Sequence, residues 1–223
     1  MMNNASFDSI IQKTSFDNLD IAAANTLLSG AQLELATVLG RESVLKIALR
    51  KLKLARDYDF IFLDCSPSLN LVTINALTAA TFVLIPIQTH YYSLEGMKEL
   101  FSTIDVVKER LNFELSILGI LPTLFDGRTK INHRMLNEIR EYFKELVFNT
   151  VIHNNVKLCE APIYKKPVHV YAPKLKGTSD YSMLAEEILA KTHDEKQRVA
   201  DSAVTLNNTE NNTARQEEIN ATG

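Results

Sequence analysis

The sequence predicts an α/β protein with a doubly wound, mainly parallel sheet and flanking helices. The first observation is a pair of apolar runs without polar alternation, at residues 60–63 and 82–87. Strands buried on both faces of a parallel sheet have this pattern. The second observation is that segments with helical periodicity separate these runs from further predicted strands at 115–121 and 147–152. Strands that alternate with helices indicate βαβ units, whose crossovers make the strands parallel.

Length and composition set the domain organisation. The chain has 223 residues, of which 46% are hydrophobic, enough for the core of one α/β domain over residues 1–190. Asn, Thr, Glu and Ala dominate residues 191–223, which predicts a polar, disordered tail. No apolar stretch has the length of a membrane span, and the start resembles no secretory signal. We therefore expect a cytoplasmic protein that does not bind membranes.

Before the first apolar run, the pattern predicts a short helix at 7–13, a short strand at 19–23 and a helical region at 30–54 that breaks near Gly40. The second half of this region places one set of apolar side chains on a single face: Val44, Leu45, Ala48, Leu49 and Leu52. After the run, helices are predicted at 69–80, 94–110 and 177–190. An amphipathic helix that follows residue 129 has an inward face of Ile131, Met135, Ile139, Tyr142, Phe143 and Leu146.

Asp64 ends the first apolar run and is the leading candidate for a functional residue. Ligands of open α/β sheets bind at the carboxyl ends of the strands, and Asp64 stands at such an end. A Walker B aspartate, which holds the nucleotide's Mg²⁺ in a P-loop NTPase, occupies the same place. The alternative is an ordinary strand that stops at an acidic residue, because four apolar residues followed by Asp is a loose pattern.

A local excess of basic residues is the second functional signal. Between residues 128 and 176 the chain has ten Lys or Arg against four Glu, an excess of six positive charges, whereas the whole chain has a net charge of −3. Binding to DNA without sequence preference depends on such a local excess, since it neutralises phosphates and releases counterions. The alternative is a solvated surface with its charges spread around two helices.

Several stretches together resemble the ParA/Soj-type partition ATPases of the ParA/MinD superfamily. They are Asp57–Leu69 with Thr73–Ala80, Ile85–Gln88 with Tyr91–Gly96, Phe125–Thr129, and Phe148–Pro162 with the later Lys166-Pro167 and Lys176-Gly177 pairs. The resemblance covers about residues 6–190 in order. It implies ATP-dependent segregation of chromosomes or plasmids by a dimer that binds ATP and Mg²⁺, binds DNA without sequence preference and responds to a ParB-type partner.

The resemblance also implies site residues. Asp64 corresponds to the metal-binding aspartate, and the neighbourhood of Thr123, Asp126 and Pro162 to the surroundings of the adenine base. The basic residues implied in DNA binding are Arg128, Lys130, Arg134, Arg140, Lys157, Lys165 and Lys166. One departure from relatives is His153-Asn154-Asn155, where a Pro-Arg-Asn sequence is common.

The phosphate-binding motif is missing from the sequence. A P-loop has the pattern Gly-x-x-x-x-Gly-Lys-[Ser/Thr], and none of the seven glycines here is followed by lysine. We therefore expect an incomplete P-loop NTPase fold that lacks the P-loop, its lysine and the catalytic aspartate, and that does not hydrolyse ATP. Two interpretations remain: an N-terminally truncated ParA-type ATPase, or an interaction module without a P-loop that binds DNA or a full-length relative and modulates it.

Overall fold

The computed structural model describes residues 7–90 and 96–194, which form two compact units. Of the described residues, the first unit comprises 7–84 and 96–117, and the second comprises 85–90 and 118–194. The strands are β1 (Gln12–Lys13), β2 (Asp20–Ile21), β3 (Phe82–Gln88) and β4 (Ser116–Thr123). The helices are α1 (Leu27–Leu35), α2 (Val44–Ala55), α3 (Leu71–Ala79), α4 (Met97–Arg110), α5 (Lys130–Phe143), α6 (Val156–Glu160), α7 (Val168–Tyr171) and α8 (176–194).

In the first unit, α2 and α3 carry the core. Leu45, Leu49 and Leu52 of α2 are buried with Ala76 of α3, which confirms the inward face predicted for this helix. The predicted break also lies at Gly40, whose φ of 68° is in the left-handed region that glycine tolerates. Near the start of this unit, residues 7–9 form a single 3₁₀ turn, and β1 pairs with β2 in an antiparallel ribbon. The predicted helix over 7–13 is therefore wrong beyond this turn.

The segment that leads to Asp64 differs from its prediction. Residues 60–64 are extended but belong to no strand, and no backbone hydrogen bond joins them to another strand within the described residues. Ile61 and Leu63 pack against the α2/α3 core, whereas Phe62 is 80% exposed. The prediction of a strand buried on both faces is thus wrong here, because the α2/α3 core covers one face of the segment and the other face meets solvent.

The β3 and β4 strands form a parallel pair, as the sequence predicts. The amide of Ser116 donates to the carbonyl of Thr81 at one end of the pair, and the amide of Thr89 donates to the carbonyl of Thr123 at the other. A third segment runs beside β4 in the same direction, through bridges at Ile120–Val147 and Phe125–His153. The segment predicted as a strand at 147–152 therefore runs parallel to β4 but forms isolated bridges, at Val147 and at His153 just after it, and no continuous strand.

A bulge separates these two bridges. The amide of Phe148 donates to Ile120, and the amide of Ile152 donates to Pro122, so this segment has two residues more than β4 over the same distance. The amides of Asn149 and Thr150 consequently lack a partner in β4. Both donate to the carboxylate of Glu187 in α8, at 2.8 and 2.9 Å. Thr150 is buried, and a buried backbone donor needs such an acceptor, which here a helix supplies.

Helix α5 packs with part of the predicted face. Met135, Ile139 and Phe143 are buried as expected, but Ile131 and Tyr142 are 53% and 68% exposed. The buried stripe also includes Asn132 and Leu136, which the prediction omitted. Leu146 is also exposed, because α5 ends at Phe143 and a 3₁₀ turn follows.

Candidate functional site

The carboxyl ends of β3 and β4 form a polar rim in the second unit. Thr123 ends β4, is half-buried, and donates its hydroxyl to the carbonyl of Ile87 at 3.2 Å. Thr89 follows β3, is fully buried, and donates its hydroxyl to the side-chain oxygen of Asn132 at 2.6 Å. Ligand sites of open α/β sheets lie at this end of the strands, so the rim is in the expected place for one.

Asn132 organises the loop that leaves β4. Its side-chain oxygen also accepts the amide of Asp126 at 3.1 Å, and its amide group donates to the hydroxyl of Thr129 at 2.9 Å. The Thr129 hydroxyl in turn donates to the carbonyl of Asp126. One buried amide therefore fixes both ends of the loop over residues 126–129 to the strand end.

The same loop contains an unusual backbone conformation. Leu124, between Thr123 and the buried Phe125, has a φ of 53°. A non-glycine residue in the left-handed region costs about 1–2 kcal/mol, so the surrounding contacts must hold it there. The backbone of Phe125 does so from both sides, since its amide donates to Ile152 and its carbonyl accepts from Asn154.

Asp126 and Arg128 form a bidentate ion pair within this loop. The guanidinium donates to the two carboxylate oxygens at 2.9 and 2.8 Å, and the amide of Arg128 donates to the carboxylate at 3.0 Å. These hydrogen bonds from Arg128 lower the pKa of Asp126 from 3.8 to about 2. Two predicted roles, a cofactor contact for Asp126 and a DNA contact for Arg128, thus fall on residues that bind each other.

Replacing Arg128 with glutamine is expected to raise the pKa of Asp126 from about 2 toward 3.8, because the guanidinium is lost while the backbone amide of residue 128 remains. A pKa below the unfolded value means that the pair contributes stability above pH 4, about the unfolded pKa, and loses it as the pH falls through 2. Carbon NMR of the side-chain carboxyl measures this titration. Arg134→Gln is the control, because Arg134 binds Glu138. An ordinary pKa for Asp126 in the unsubstituted protein would contradict the expectation.

His153 lies beside the rim and is held by a buried carboxylate. Its Nδ1 and its backbone amide are 2.9 and 3.0 Å from Oδ2 of Asp180, which is 1% exposed. The ring of Phe125 lies edge to face with both His153 and His133.

Within the described residues, no group of three or more His, Cys, Asp or Glu side chains could hold a metal ion.

Pro162 lies in an exposed turn after α6, also in the second unit. Its carbonyl accepts the amide of Lys165 at 3.0 Å, and the preceding Ala161 is buried at 3% exposure. Its predicted contact with a nucleotide base stays a prediction, as do those of Thr123 and Asp126.

Asp64 lies in the first unit and is exposed. Hydrogen bonds within the loop after Asp64 hold its conformation. The hydroxyl oxygens of Ser66 and Ser68 are 2.8 Å apart, and the side-chain amide of Asn70 donates to the hydroxyl of Ser68. Asn70 also caps α3. The thiol of the adjacent Cys65 has a raised pKa because of burial and the charge of Asp64. From Cys65 to Asn70 the sequence contains polar side chains but no second carboxylate.

These residues do not fit a complete site for ATP and Mg²⁺. Phosphate binding of this kind uses a Gly-rich loop whose backbone amides and lysine surround the phosphates, and the sequence has no such motif. A single exposed carboxylate such as Asp64 supplies one metal ligand, whereas Mg²⁺ takes the rest from phosphates, waters or further side chains. We therefore derive no hydrolytic step for this polypeptide.

The basic residues of the second unit differ in how they are bound. Arg128, Arg134 and Lys157 form ion pairs with Asp126, Glu138 and Glu160 at 2.8–2.9 Å. Within residues 7–90 and 96–194, no ion pair is found for the other four predicted DNA contacts, Lys130, Arg140, Lys165 and Lys166. A cation without a carboxylate partner has no competing anion beside it when a phosphate binds, so these four are the stronger candidates.

Comparison with known proteins identifies the family. Residues 1–117 match the family described as "AAA domain". The chain is 43% identical over 190 residues to the sporulation initiation inhibitor protein Soj of Bacillus subtilis, and the match covers 85% of this chain and 74% of Soj. It is 42% identical over 191 residues to the chromosome partitioning protein ParA of Myxococcus xanthus, covering 86% and 67% of the two chains.

The chain belongs to the ParA/Soj-type partition ATPase family. A solved structure of cobyrinic acid a,c-diamide synthase from Mycobacterium smegmatis matches this member with a TM-score of 0.70 at 30% identity, covering 83% of this chain and 67% of the synthase. The same synthase with bound ADP and magnesium matches with a TM-score of 0.63 at 29% identity, over 76% and 70% of the two chains. The predicted α/β fold class and the predicted family are therefore confirmed.

Sequence reasoning missed several residues that shape the site of this ParA/Soj-type chain. Asn132 and Thr89 organise the rim, and Glu187 closes the bulge beside it. For Asn132 a signal was available, since an amide stands where the helical period of α5 calls for an apolar side chain.

No helix in the described residues is long and apolar enough to cross a bilayer.

Proposed function

We propose that this chain is a DNA-segregation protein of the ParA/Soj type that binds duplex DNA without sequence preference and does not hydrolyse ATP by itself. A ParB-type protein is the proposed partner, and a homodimer or a heterodimer with a full-length relative is the proposed assembly. The proposal places it in the cytoplasm, associated with the nucleoid. The supporting observation is that Lys165 and Lys166, adjacent and exposed, have no ion pair within the described residues.

The remaining basic residues support the same surface less strongly. On α5, Lys130 and Arg134 share an outward stripe with Glu138 and Glu141, because residues four apart lie on one helix face. A phosphate near this stripe would meet carboxylates as well as cations. The excess positive charge of the segment after α6 is therefore the better partner for a nucleic-acid backbone.

Reversing the charge of both lysines, Lys165→Glu with Lys166→Glu, is expected to weaken binding to a random duplex by tenfold or more and to lower the salt slope by about two. The two positive charges otherwise neutralise about two phosphates. Fluorescence anisotropy at several salt concentrations measures both quantities. Lys51→Glu with Lys53→Glu is the matched control, since both lysines are exposed on α2 in the first unit and the change in net charge is the same. Equal retention of both variants on DNA would exclude this surface.

A second experiment tests the absence of catalysis. The 223-residue polypeptide with Mg²⁺ and ATP is expected to release no phosphate above the buffer rate, because phosphoryl transfer depends on a loop that positions and neutralises the phosphates. Colorimetric phosphate release measures it. Magnesium-dependent turnover would contradict the proposal, and the absence of a P-loop motif would then have to be compensated by another group.

A second candidate function is an interaction module that modulates a full-length relative. The extended segment at 60–64 favours it, since no backbone hydrogen bond joins it to another strand within the described residues and Phe62 is 80% exposed. Such an edge is a template for pairing with another strand. In this case, adding the polypeptide to a full-length Soj-type ATPase changes the phosphate release of that ATPase. No change at a molar excess would remove this candidate.

A further inference from the structure

The turn after α6 presents apolar and basic side chains together. Ile163 and Tyr164 are 76% and 60% exposed, and the exposed Lys165 and Lys166 follow directly. Single exposed apolar residues are common on protein surfaces. Here two exposed apolar side chains, Ile163 and Tyr164, lie next to two lysines without ion pairs within the described residues. This combination suits a ligand that offers both negative charge and an apolar surface. We call residues 161–166 the Ile163 turn.

The Ile163 turn is held in one conformation by its backbone. The amide of Lys166 donates to the carbonyl of Ala161, and the amide of Lys165 donates to that of Pro162, the hydrogen-bond pattern of a Schellman motif. Glycine is the usual residue at the left-handed position of this motif, yet Lys165 occupies it with a φ of 53°. The cost of this backbone conformation is offset by the four hydrogen bonds of the turn, which include those of Ile163 and Tyr164 to Glu160.

Side chains behind the turn stiffen it further. The rings of Tyr164 and Tyr171 are stacked with centroids 5.0 Å apart, and the hydroxyl of Tyr171 donates to Glu160 at 2.7 Å. Lys157 binds the same carboxylate at 2.8 Å and lies over the Tyr171 ring. Since the turn is already ordered, binding a ligand there costs little conformational entropy.

We propose that the Ile163 turn is a DNA wedge: Ile163, supported by Tyr164, inserts between base pairs while Lys165 and Lys166 bind the flanking phosphates. Duplex DNA offers phosphates and the apolar faces of stacked bases within a few ångströms of each other. Proteins that insert apolar side chains between base steps unstack the step and bend the duplex. The inference rests on the proposed function, because it takes duplex DNA as the ligand of the same surface.

The wedge predicts a change in DNA shape as well as binding. Bound to relaxed circular plasmid in the presence of a topoisomerase, the protein is expected to leave a changed linking number, because unstacking a base step untwists it. Ile163→Ser is expected to abolish this change, to weaken duplex binding about threefold to tenfold, and to leave the salt slope unaltered. Lys165→Glu with Lys166→Glu is expected to lower the slope as well.

Val156→Ser is the matched control, since Val156 is 70% exposed on α6 and lies outside the turn. A melting temperature for each variant close to that of the unsubstituted protein confirms that exposed residues were changed without unfolding. An unchanged linking number with the unsubstituted protein bound, or an Ile163→Ser variant equal to Val156→Ser, would overturn the wedge and leave the proposed function standing. No binding to duplex DNA by the unsubstituted protein would overturn both. Ile163-dependent binding to phosphatidylglycerol vesicles in place of DNA would assign the turn to an anionic lipid surface and overturn the proposal.

Discussion

Replacing Gly119 with alanine is expected to lower the free energy of unfolding of the second unit by about 3 kcal/mol, at the upper end of the cost of overpacking a core. Gly119 lies in β4 against the segment that carries the two bridges. A Cβ atom there would lie 2.7 Å from a ring carbon of Phe148 and 2.8 Å from the backbone oxygen of Leu146. Phe148 is fully buried, so its ring has no room to move. Urea unfolding measures the change.

The matched control for Gly119→Ala is Gly30→Ala. Gly30 lies inside α1, and no atom lies within 4 Å of the Cβ that alanine would add. Alanine is the better helix former by about 0.5–1 kcal/mol, so this variant is expected to gain a little stability. Two glycine-to-alanine changes of opposite sign would show that the loss of glycine as such does not cause the effect, which at Gly119 combines the close contacts of the Cβ with a φ of 158° that side chains rarely adopt. A neutral Gly119→Ala would contradict the packing described for β4.

Replacing Asn75 with alanine is expected to destabilise the first unit by about 3 kcal/mol, because it leaves the buried amide of Leu45 and the part-buried carbonyl of Arg41 without partners. Asn75 is 2% exposed on α3. Its side-chain oxygen accepts the amide of Leu45 at 3.1 Å, and its amide donates to the carbonyl of Arg41 at 2.7 Å. These groups belong to the start of α2 and the 3₁₀ turn before it, so one side chain joins α3 to α2. Thermal and urea unfolding measure the loss.

Asn70→Ala provides the comparison for the Asn75 variant. Asn70 caps α3 by accepting the amides of Val72 and Thr73, a role whose loss costs about 1 kcal/mol. Both changes remove one asparagine side chain from the same helix. A larger loss at Asn75 is expected because water reaches the groups at a helix end more easily than those in the core. Equal losses would show that the contact between α2 and α3 does not depend on Asn75.

The sequence was sufficient for the elements whose signal is local. The apolar face of α2, the break at Gly40 and the parallel order of β3 and β4 follow from periodicity and glycine alone, and the structure has all three. The family followed from short motifs spread over most of the chain. These features depend on residues close together in sequence, or on patterns that one face of an element repeats.

The segment before Asp64 shows where such reasoning ends. An apolar run predicts that both faces of a strand are covered, but it does not say by what, and here Phe62 faces solvent while Leu63 faces the core. On α5, an amide at residue 132 replaced an apolar side chain because it binds Thr89 and Asp126, partners that lie 43 and 6 positions away. Contacts of this kind depend on the tertiary arrangement, so the prediction placed Ile131 on the inward face, where Asn132 is buried instead.

The bulge closed by Glu187 provides an internal reporter of how the C-terminal helix docks. The amide protons of Asn149 and Thr150 are shielded by a carboxylate from α8 and not by a neighbouring strand. Their exchange with deuterated solvent therefore follows the opening of that helix, whereas the amides of Phe148 and Ile152 follow the opening of the strand pair. One exchange measurement therefore distinguishes the detachment of α8, reported by Asn149 and Thr150, from the opening of the strand pair, reported by Phe148 and Ile152.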